Sequence, residues 1–202
     1  PGHYCDKANW GKLTLPEMFE RECQRHGKGA IIEIMAKNLR IAATEAGKCN
    51  VKIALENVDR FEPAATSADL TELVNQADSP AVGFCLDAGH GHCCGQTSVI
   101  EWIKLMNGKL FTTHFYDNRG ARLQAATSEK WIRPTGIDEH MPPGFGTIPW
   151  IDVIQSLWQI HYSDTVNFES GAWPGMDEKR GFECAINFWR TCEKLAEEKL
   201  VK

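Results

Sequence analysis

The chain has 202 residues, a formal net charge of −5 and a hydrophobic content of 43%. These values indicate one globular domain, or a large piece of one, with an acidic balance that disfavours a nucleic-acid partner. No apolar run reaches the roughly 20 residues that span a bilayer, and no amino-terminal signal peptide is visible. We therefore expect no membrane partner and a cytoplasmic location.

Eight cysteines are scattered through helix-like and strand-like segments. None forms a C-x-x-C pair, which argues against a zinc ribbon or a thioredoxin-type motif. We therefore expect these cysteines to be free thiols in a reducing compartment. Cys93 and Cys94 are adjacent and close to the acidic and histidine residues described below, so metal ligation by one of them is the alternative.

Short apolar strands alternate with helical segments along the chain, a pattern typical of a parallel α/β sheet. The first segment is a long helical stretch that is expected to break near the glycines at 27 and 29. The predicted segments, in chain order, are helix Leu15–Gly47, strand Val51–Val58, helix Asp69–Gln76, strand Val82–Asp87, helix Ser98–Met106, strand Leu110–Phe115, helix Pro149–Ile160, strand Thr165–Glu169 and helix Gly181–Leu200.

Four clear strands are too few for a closed barrel, which has eight strands and usually about 250 residues. No glycine-rich dinucleotide or P-loop motif is present, so nucleotide-binding folds lose support. We predict an α/β fold, a (β/α)8 TIM barrel, of which residues 1–202 form one domain covering about strands 4–8. Residues 1–4 are a further strand candidate. Half a barrel exposes sheet edges, so we expect poor solubility unless this chain pairs with another, which leaves a homo-oligomer open.

The predicted strands carry ionisable residues at or near their carboxyl ends. Glu56 lies near the end of the first strand, Asp87 ends the second, His114 lies near the end of the third, and Glu169 ends the fourth. In a parallel barrel these ends open on one face. Each residue alone could be a helix cap or a surface loop residue. Together, three converging carboxylates would repel one another without a cation, so the pattern predicts a divalent metal site: Mn²⁺, Mg²⁺ or Co²⁺, with Zn²⁺ an alternative.

Further polar residues follow these positions. His90 comes three residues after Asp87, and Asp138 and His140 lie in a long loop between Tyr116 and Pro149. A loop of that length in a compact domain is usually functional. These three residues are candidates for substrate binding or for a second metal.

The ordered motifs resemble those of the xylose isomerase-like TIM-barrel superfamily, in particular its sugar phosphate isomerase/epimerase branch. The resemblance runs from about Val51 to the carboxyl terminus. It rests on the strings Leu55-Glu56-Asn57, Leu86-Asp87-Ala88-Gly89-His90, His114-Phe115-Tyr116-Asp117-Asn118, Asp138-Glu139-His140-Met141-Pro142-Pro143-Gly144-Phe145-Gly146 and Phe168-Glu169.

The resemblance implies a role for each matching position. One metal would be held by a Glu, Asp, His, Glu set, and the two glutamates would act as acid and base on opposite faces of the sugar. His90 would contact a substrate oxygen. The superfamily also contains endonuclease IV, whose similar motifs serve a zinc cluster and would recruit His90, Asp138 and His140. The matching metal set here is Glu56, Asp87, His114 and Glu169.

The sequence therefore supports two alternative functions, the first more strongly than the second. The first is a metal-dependent isomerase or epimerase of a sugar or sugar phosphate that moves a proton through an enediolate. The alternative is an abasic-site endonuclease, which needs a basic surface for DNA. The chain is acidic overall, and the modest basic group in the long loop could equally hold a substrate phosphate or be solvated. That group comprises Arg119, Arg122, Lys130 and Arg133.

Overall fold

The computed structural model describes residues 15–58, 66–94, 97–120, 138–170 and 175–200. The strand candidate at residues 1–4 and the loop residues Arg122, Lys130 and Arg133 lie outside these ranges. The elements are α1 Leu15–His26, α2 Lys28–Lys48, β1 Ile53–Glu56, α3 Ser67–Ala77, β2 Val82–Asp87, α4 Ala88–Cys94, α5 Val99–Leu105, β3 Leu110–His114, α6 Trp150–Gln159 and α7 Glu178–Leu200.

The three strands form a parallel sheet in the order β1-β2-β3. Every residue of β2 is buried, as expected for a central strand covered on both faces. Val82, Phe84 and Leu86 belong to the same hydrophobic core as the inner faces of the helices. Because side chains alternate along a strand, Cys85 and Asp87 point to the opposite face.

The prediction of a fourth strand over Thr165–Glu169 is wrong, because the segment does not pair as a regular strand. Within the described ranges this segment makes one parallel bridge, between Phe168 and Phe115. The Asn167 backbone N–H donates to the Thr113 hydroxyl at 2.9 Å instead of to a carbonyl. This side-chain bond competes with the backbone ladder and limits the pairing to a single step. The segment still lies against the end of β3.

The predicted helices are confirmed, including the predicted break near Gly27, and one further helix, α4, was not predicted. The long helical stretch breaks at Gly27, whose φ of 83° favours glycine, and this separates α1 from α2. Helix α4, which follows β2 without a loop, is not in the prediction because its glycines are poor helix formers. Gly89 is required there, since a Cβ atom would lie 1.9 Å from the Tyr116 ring.

The helices α5, α6 and α7 cover the outer face of the sheet. Trp102 and Trp150 are buried in the core, and Trp189 packs partly buried against it. Helix α5 begins with a capping box in which Ser98 and Glu101 satisfy each other's backbone N–H groups. Side chains of these helices and of β2 therefore share one hydrophobic core.

The described residues also bear on the expectations for membrane spans and thiols. None of the helices in these ranges is long and apolar enough to span a bilayer. Free thiols are present as predicted at Cys23, Cys49, Cys85, Cys184 and Cys192.

Candidate metal centre

Four side chains from separate segments meet at the carboxyl edge of the sheet. Each offers one carboxylate oxygen or imidazole nitrogen, and these four atoms all lie within 4.8 Å of one another. The structure thus brings together the four residues that the sequence predicts to share a cation. They are Glu56, Asp87, His114 and Glu169.

The parallel register explains why they meet. Glu56, Asp87 and His114 are the last residues of β1, β2 and β3, and Asp87 is paired directly with His114. The Glu169 backbone N–H donates to the carbonyl of Phe115 at 3.0 Å, which places the fourth side chain beside the end of β3. The carboxyl ends of parallel strands therefore build the group without any long loop.

His114 stands between two carboxylates. Its Nδ1 atom lies 3.3 Å from Glu56 Oε2 and 3.1 Å from Glu169 Oε2. Both distances fall in the range of ion pairs, yet this buried nitrogen has no hydrogen-bond partner of suitable geometry in the part of the chain that the structure describes. A nitrogen surrounded by carboxylates but not hydrogen-bonded to them fits a lone pair directed at a shared cation.

Asp87 is fully buried, and both its side chain and its backbone form hydrogen bonds. Its Oδ1 accepts from the His90 backbone N–H at 2.7 Å. The Asn57 side chain accepts from the Asp87 N–H at 2.7 Å and donates to the Asp87 carbonyl at 2.8 Å, so it clamps β2 to the end of β1. The other carboxylate oxygen, Oδ2, has no hydrogen-bond partner among the described residues.

Burial also changes the acidity of Asp87. Desolvation raises its pKa to about 8, the nearby charges of Glu56 and Asp138 add to the increase, and His90 opposes it. A buried carboxyl that resists ionisation without a cation is stabilised as a carboxylate when a cation is bound. The donor set consists of three carboxylates and one imidazole, and two of its buried atoms have no hydrogen bond among the described residues. This set therefore fits a divalent ion.

His90 lies among the carboxylates on the loop side of the group. Its Nδ1 is 3.2 Å from Glu56 Oε1 and 3.3 Å from Asp87 Oδ2, and its Nε2 is 3.5 Å from Asp138 Oδ2. Burial lowers the pKa of His90, but hydrogen bonds to Asp138 and Glu56 and the surrounding charge raise it to about 11. The imidazolium thus supplies positive charge to the group. Burial raises the pKa of Glu56, but the hydrogen bond and charge of His90 lower it by more, so the pKa is lowered overall.

Asp138 joins the long loop to this group. It accepts hydrogen bonds from the Tyr116 hydroxyl and from His140 Nε2, the latter at 3.0 Å. Burial raises the pKa of Asp138, but the bonds from His140, His90 and Tyr116 lower it, so this carboxylate stays ionised. One loop carboxylate therefore connects three rings around the site.

His140 has a left-handed backbone with φ of 47°, and its ring stacks on Tyr116 with centroids 3.9 Å apart. Its Nδ1 lies 3.0 Å from the Glu169 carbonyl oxygen. The hydrogen bond to Asp138 raises the pKa of His140 to about 9, although burial opposes this. The structure thus places His90, Asp138 and His140 next to the four-residue group, in contact with one another and with its members.

The turn after Asp138 and His140 is fastened by a second buried carboxylate, Asp117. Its Oδ2 accepts from the Gly144 N–H and the Trp150 indole N–H, each at 2.9 Å. Its Oδ1 accepts from the Asn118 N–H at 3.0 Å and the Ile148 N–H at 3.2 Å. Three of these donors, on Gly144, Ile148 and Trp150, fasten the far end of the loop to Asp117.

Sequence reasoning assigned no role to Asn57, Asp117 or Cys85. Asn57 and Asp117 act through backbone groups of distant segments, which no sequence spacing reveals. The position of Cys85 near the site could have been predicted, because it precedes Asp87 by two residues on a strand and so shares its face. Its thiol forms a second group with Glu56 and His114 in which the ligand atoms also lie within 4.8 Å of one another.

Known proteins share this architecture. A family model described as xylose isomerase-like TIM barrel matches residues 11–192. The D-psicose 3-epimerase of Ruminiclostridium cellulolyticum is 25% identical over 169 residues, which cover 84% of this chain and 50% of that protein. The crystal structure of D-psicose 3-epimerase with D-tagatose from Clostridium cellulolyticum H10 is 21% identical with a TM-score of 0.62, covering 89% of this chain and 58% of that one.

A xylose isomerase domain protein from Alicyclobacillus acidocaldarius has a similar structure, with a TM-score of 0.63 and 22% identity over 91% of this chain and 70% of that one. The chain spans about half the length of the curated relatives it matches. The family match covers most of the sequence, and the parallel sheet with its converging strand ends agrees with it. This chain therefore belongs to the xylose isomerase-like TIM barrel family.

Proposed function

We propose that this chain carries the metal-binding and proton-transfer centre of a sugar or sugar-phosphate isomerase or epimerase. The observation that carries the proposal is the convergence of four ligand atoms within 4.8 Å, two of them on glutamates. Among the relatives, the one from Ruminiclostridium cellulolyticum is named a D-psicose 3-epimerase, which points to ketose sugars as the first substrates to test.

We further propose that residues 1–202 form one domain equivalent to about strands 4–8 of the barrel. Three parallel strands, a fourth segment bridged to β3 and matches that cover 37% and 50% of the curated relatives support this assignment. The centre lies where active sites of such barrels lie, at the carboxyl ends of the strands.

A divalent cation would be held by the four converging residues, with Mn²⁺, Mg²⁺ or Co²⁺ favoured by the oxygen-rich set and Zn²⁺ an alternative. When bound, it would supply Lewis-acid polarisation of the sugar carbonyl and of the neighbouring hydroxyl. The buried Oδ2 of Asp87 and Nδ1 of His114 support this role, since neither has a hydrogen-bond partner among the described residues.

The two glutamates would perform the proton transfer. One removes the carbon-bound proton to give an enediolate, and the other returns a proton to the adjacent carbon in an isomerase or to the other face in an epimerase. The lowered pKa of Glu56, in which His90 outweighs burial, keeps this carboxylate ionised, as a group that accepts a proton must be. Glu169 is more exposed, with 47% of its side chain accessible, and can reach a substrate from the open side.

His90, Asp138 and His140 would bind the substrate. His90 carries a proton and can donate to a sugar oxygen, while Asp138 holds the rings of Tyr116 and His140 in place. These contacts make the long loop part of the binding site in this proposal. The net charge of −5 disfavours the abasic-site nuclease, because DNA binding depends on a basic surface.

The proposal is tested with Glu169→Gln, which keeps an oxygen ligand but removes the acid–base function. We expect metal content close to the unmodified protein and turnover of a ketose panel lower by about 10² to 10⁴. Metal is measured by mass spectrometry of the purified protein, and Glu197→Gln on the exposed side of α7 is the matched control. Unchanged turnover would remove the proton-transfer role, and incision of abasic DNA would move the assignment to the nuclease.

A further inference from the structure

Cys85 occupies an unusual position beneath the four-residue group. It lies on β2, is 2% exposed, and is paired in the sheet register with Glu56. Because it precedes Asp87 by two residues, its side chain lies on the same face, one step further from the open edge of the sheet. The thiol is thus directed at the same space as the carboxylates.

This thiol belongs to a ligand set of a different chemical kind. The sulfur of Cys85, a carboxylate oxygen of Glu56 and an imidazole nitrogen of His114 all lie within 4.8 Å of one another. Sulfur and nitrogen donors favour thiophilic ions such as Zn²⁺ and Cd²⁺, whereas Mg²⁺ and Mn²⁺ prefer oxygen. The two sets share Glu56 and His114 but differ in their remaining members, which are Cys85 in one and Asp87 with Glu169 in the other.

We propose that Glu56, Cys85 and His114 form a second, deeper position of the same centre, which binds a thiophilic divalent ion. Because the two positions share Glu56 and His114, we expect an ion in one position to exclude an ion from the other. A thiophilic ion in the deeper position withdraws Glu56 and His114 from the set that holds an oxygen-preferring ion. On binding, the thiol loses its proton to solvent and the thiolate donates an electron pair to the ion, with no change of oxidation state.

This inference concerns metal choice and does not depend on the reaction that the protein catalyses. It predicts that Zn²⁺ or Cd²⁺ displaces Mn²⁺ and that the displacement depends on Cys85. Cys192 offers a matched control, since it is also a buried thiol, 4% exposed, but packs in the helical core away from the strand ends.

The experiment is a Cd²⁺ titration of the metal-free chain, followed by ultraviolet cadmium–thiolate charge-transfer absorption, with a parallel Mn²⁺ titration followed by electron paramagnetic resonance. In the unmodified chain and in Cys192→Ala we expect thiolate absorption that saturates at one Cd²⁺. In Cys85→Ala we expect that absorption to disappear. Mutation of residues that only hydrogen-bond to metal ligands typically lowers metal affinity by about 10-fold. Loss of Cys85, a direct ligand in this proposal, should therefore lower the Cd²⁺ affinity by at least that factor.

Mn²⁺ affinity should be the same in Cys85→Ala as in the unmodified chain, which separates loss of a ligand from loss of packing. Cys85→Ser, closer in size to the native residue, repeats the test if the alanine variant does not fold. The proposal is overturned by an unmodified chain without thiolate absorption, by absorption that persists in Cys85→Ala, or by equal weakening of Cd²⁺ and Mn²⁺. Neither readout uses turnover, so failure of the isomerase assignment leaves this result intact.

Discussion

At the scale of single residues, two buried side-chain atoms of the centre lack a hydrogen-bond partner among the described residues. Asp87 is fully buried with one carboxylate oxygen unbonded within the described ranges, and His114 Nδ1 is in the same situation. Leaving a buried polar atom unpaired costs about 1–3 kcal/mol. Such a cost is tolerated at sites where a ligand pairs the atom, so in the proposed metal site the stability of the metal-free protein and its metal affinity would be opposed at Asp87.

Asp87→Asn should separate these two effects. In the metal-free protein we expect a melting temperature equal to or above that of the unmodified chain, while the stabilisation by added Mn²⁺ is lost. The unfolded carboxyl ionises near pH 4, whereas burial raises the folded pKa to about 8. The folded state therefore binds the extra proton, and the advantage of asparagine should grow from about pH 4 to about pH 8 and then level off.

Thermal unfolding across this pH range, with chelator and with Mn²⁺, measures both effects. Asp164→Asn, which alters an exposed carboxyl, serves as the control and should leave both curves unchanged. A variant that loses stability in chelator to the same extent at every pH would contradict this account of Asp87.

At the scale of elements, the position of the loop depends on a few buried polar anchors. The loop carries Asp138 and His140 to the site, and Asp117, three residues after β3, accepts hydrogen bonds from three donors at its far end. The side chain of Asn57 similarly ties β1 to β2 beside the carboxylates. These anchors lie next to the chemistry but contribute no atom to the proposed metal group.

Asp117→Asn should destabilise the fold because an amide replaces one acceptor oxygen with a donor that faces other donors. Removing one partner from buried, charge-assisted hydrogen bonds costs about 1.5–3 kcal/mol, so we expect a loss of roughly 3 kcal/mol in the free energy of unfolding. Chemical denaturation measures it. Asp152→Asn is the control, since Asp152 forms an exposed pair with Lys199 at 2.8 Å and should cost about 1 kcal/mol or less. Equal effects in the two variants would argue against the anchoring role.

At the scale of the whole molecule, the described residues include a strand with one unpaired edge and two helices with exposed apolar side chains. Among the described residues β1 pairs only with β2, which leaves its other edge open. Large apolar side chains are exposed on α2 and on α7: Ile34, Ile41, Phe182 and Ile186. Open strand edges and apolar helix faces are the surfaces through which chains associate.

We expect the 202-residue chain to self-associate when expressed by itself. Light scattering coupled to size-exclusion chromatography should show a mean mass that rises with protein concentration. Ile41→Lys, which places a charge on a side chain that is 61% exposed, should lower that mass without lowering the melting temperature. A chain that remains monomeric over a hundredfold range of about micromolar to submillimolar concentration would show that these surfaces do not drive association.

Much of this arrangement was predictable from local patterns. Strand β2 was predicted with its observed bounds because a short apolar run followed by Asp87 is a strong signal for a buried parallel strand. The three acidic residues and His114 could be assigned to one edge, since parallel strands all end on the same side. The segment before Glu169 was predicted as a strand and makes only one bridge, because its pairing was decided by the hydroxyl of Thr113, which is 54 residues away.

The order of β1, β2 and β3 and of every helix except α4, the identity of the four converging side chains and the break at Gly27 follow from the sequence alone, since they depend on periodicity, on strand direction and on one backbone dihedral. Only the tertiary structure decided that Asp87 and His114 have unbonded atoms within the described ranges, that Asp138 connects His90, Tyr116 and His140, and that Cys85 shares the space of Glu56. Hydrogen bonding and burial depend on distances between residues that are far apart in the chain, and no local pattern encodes those distances.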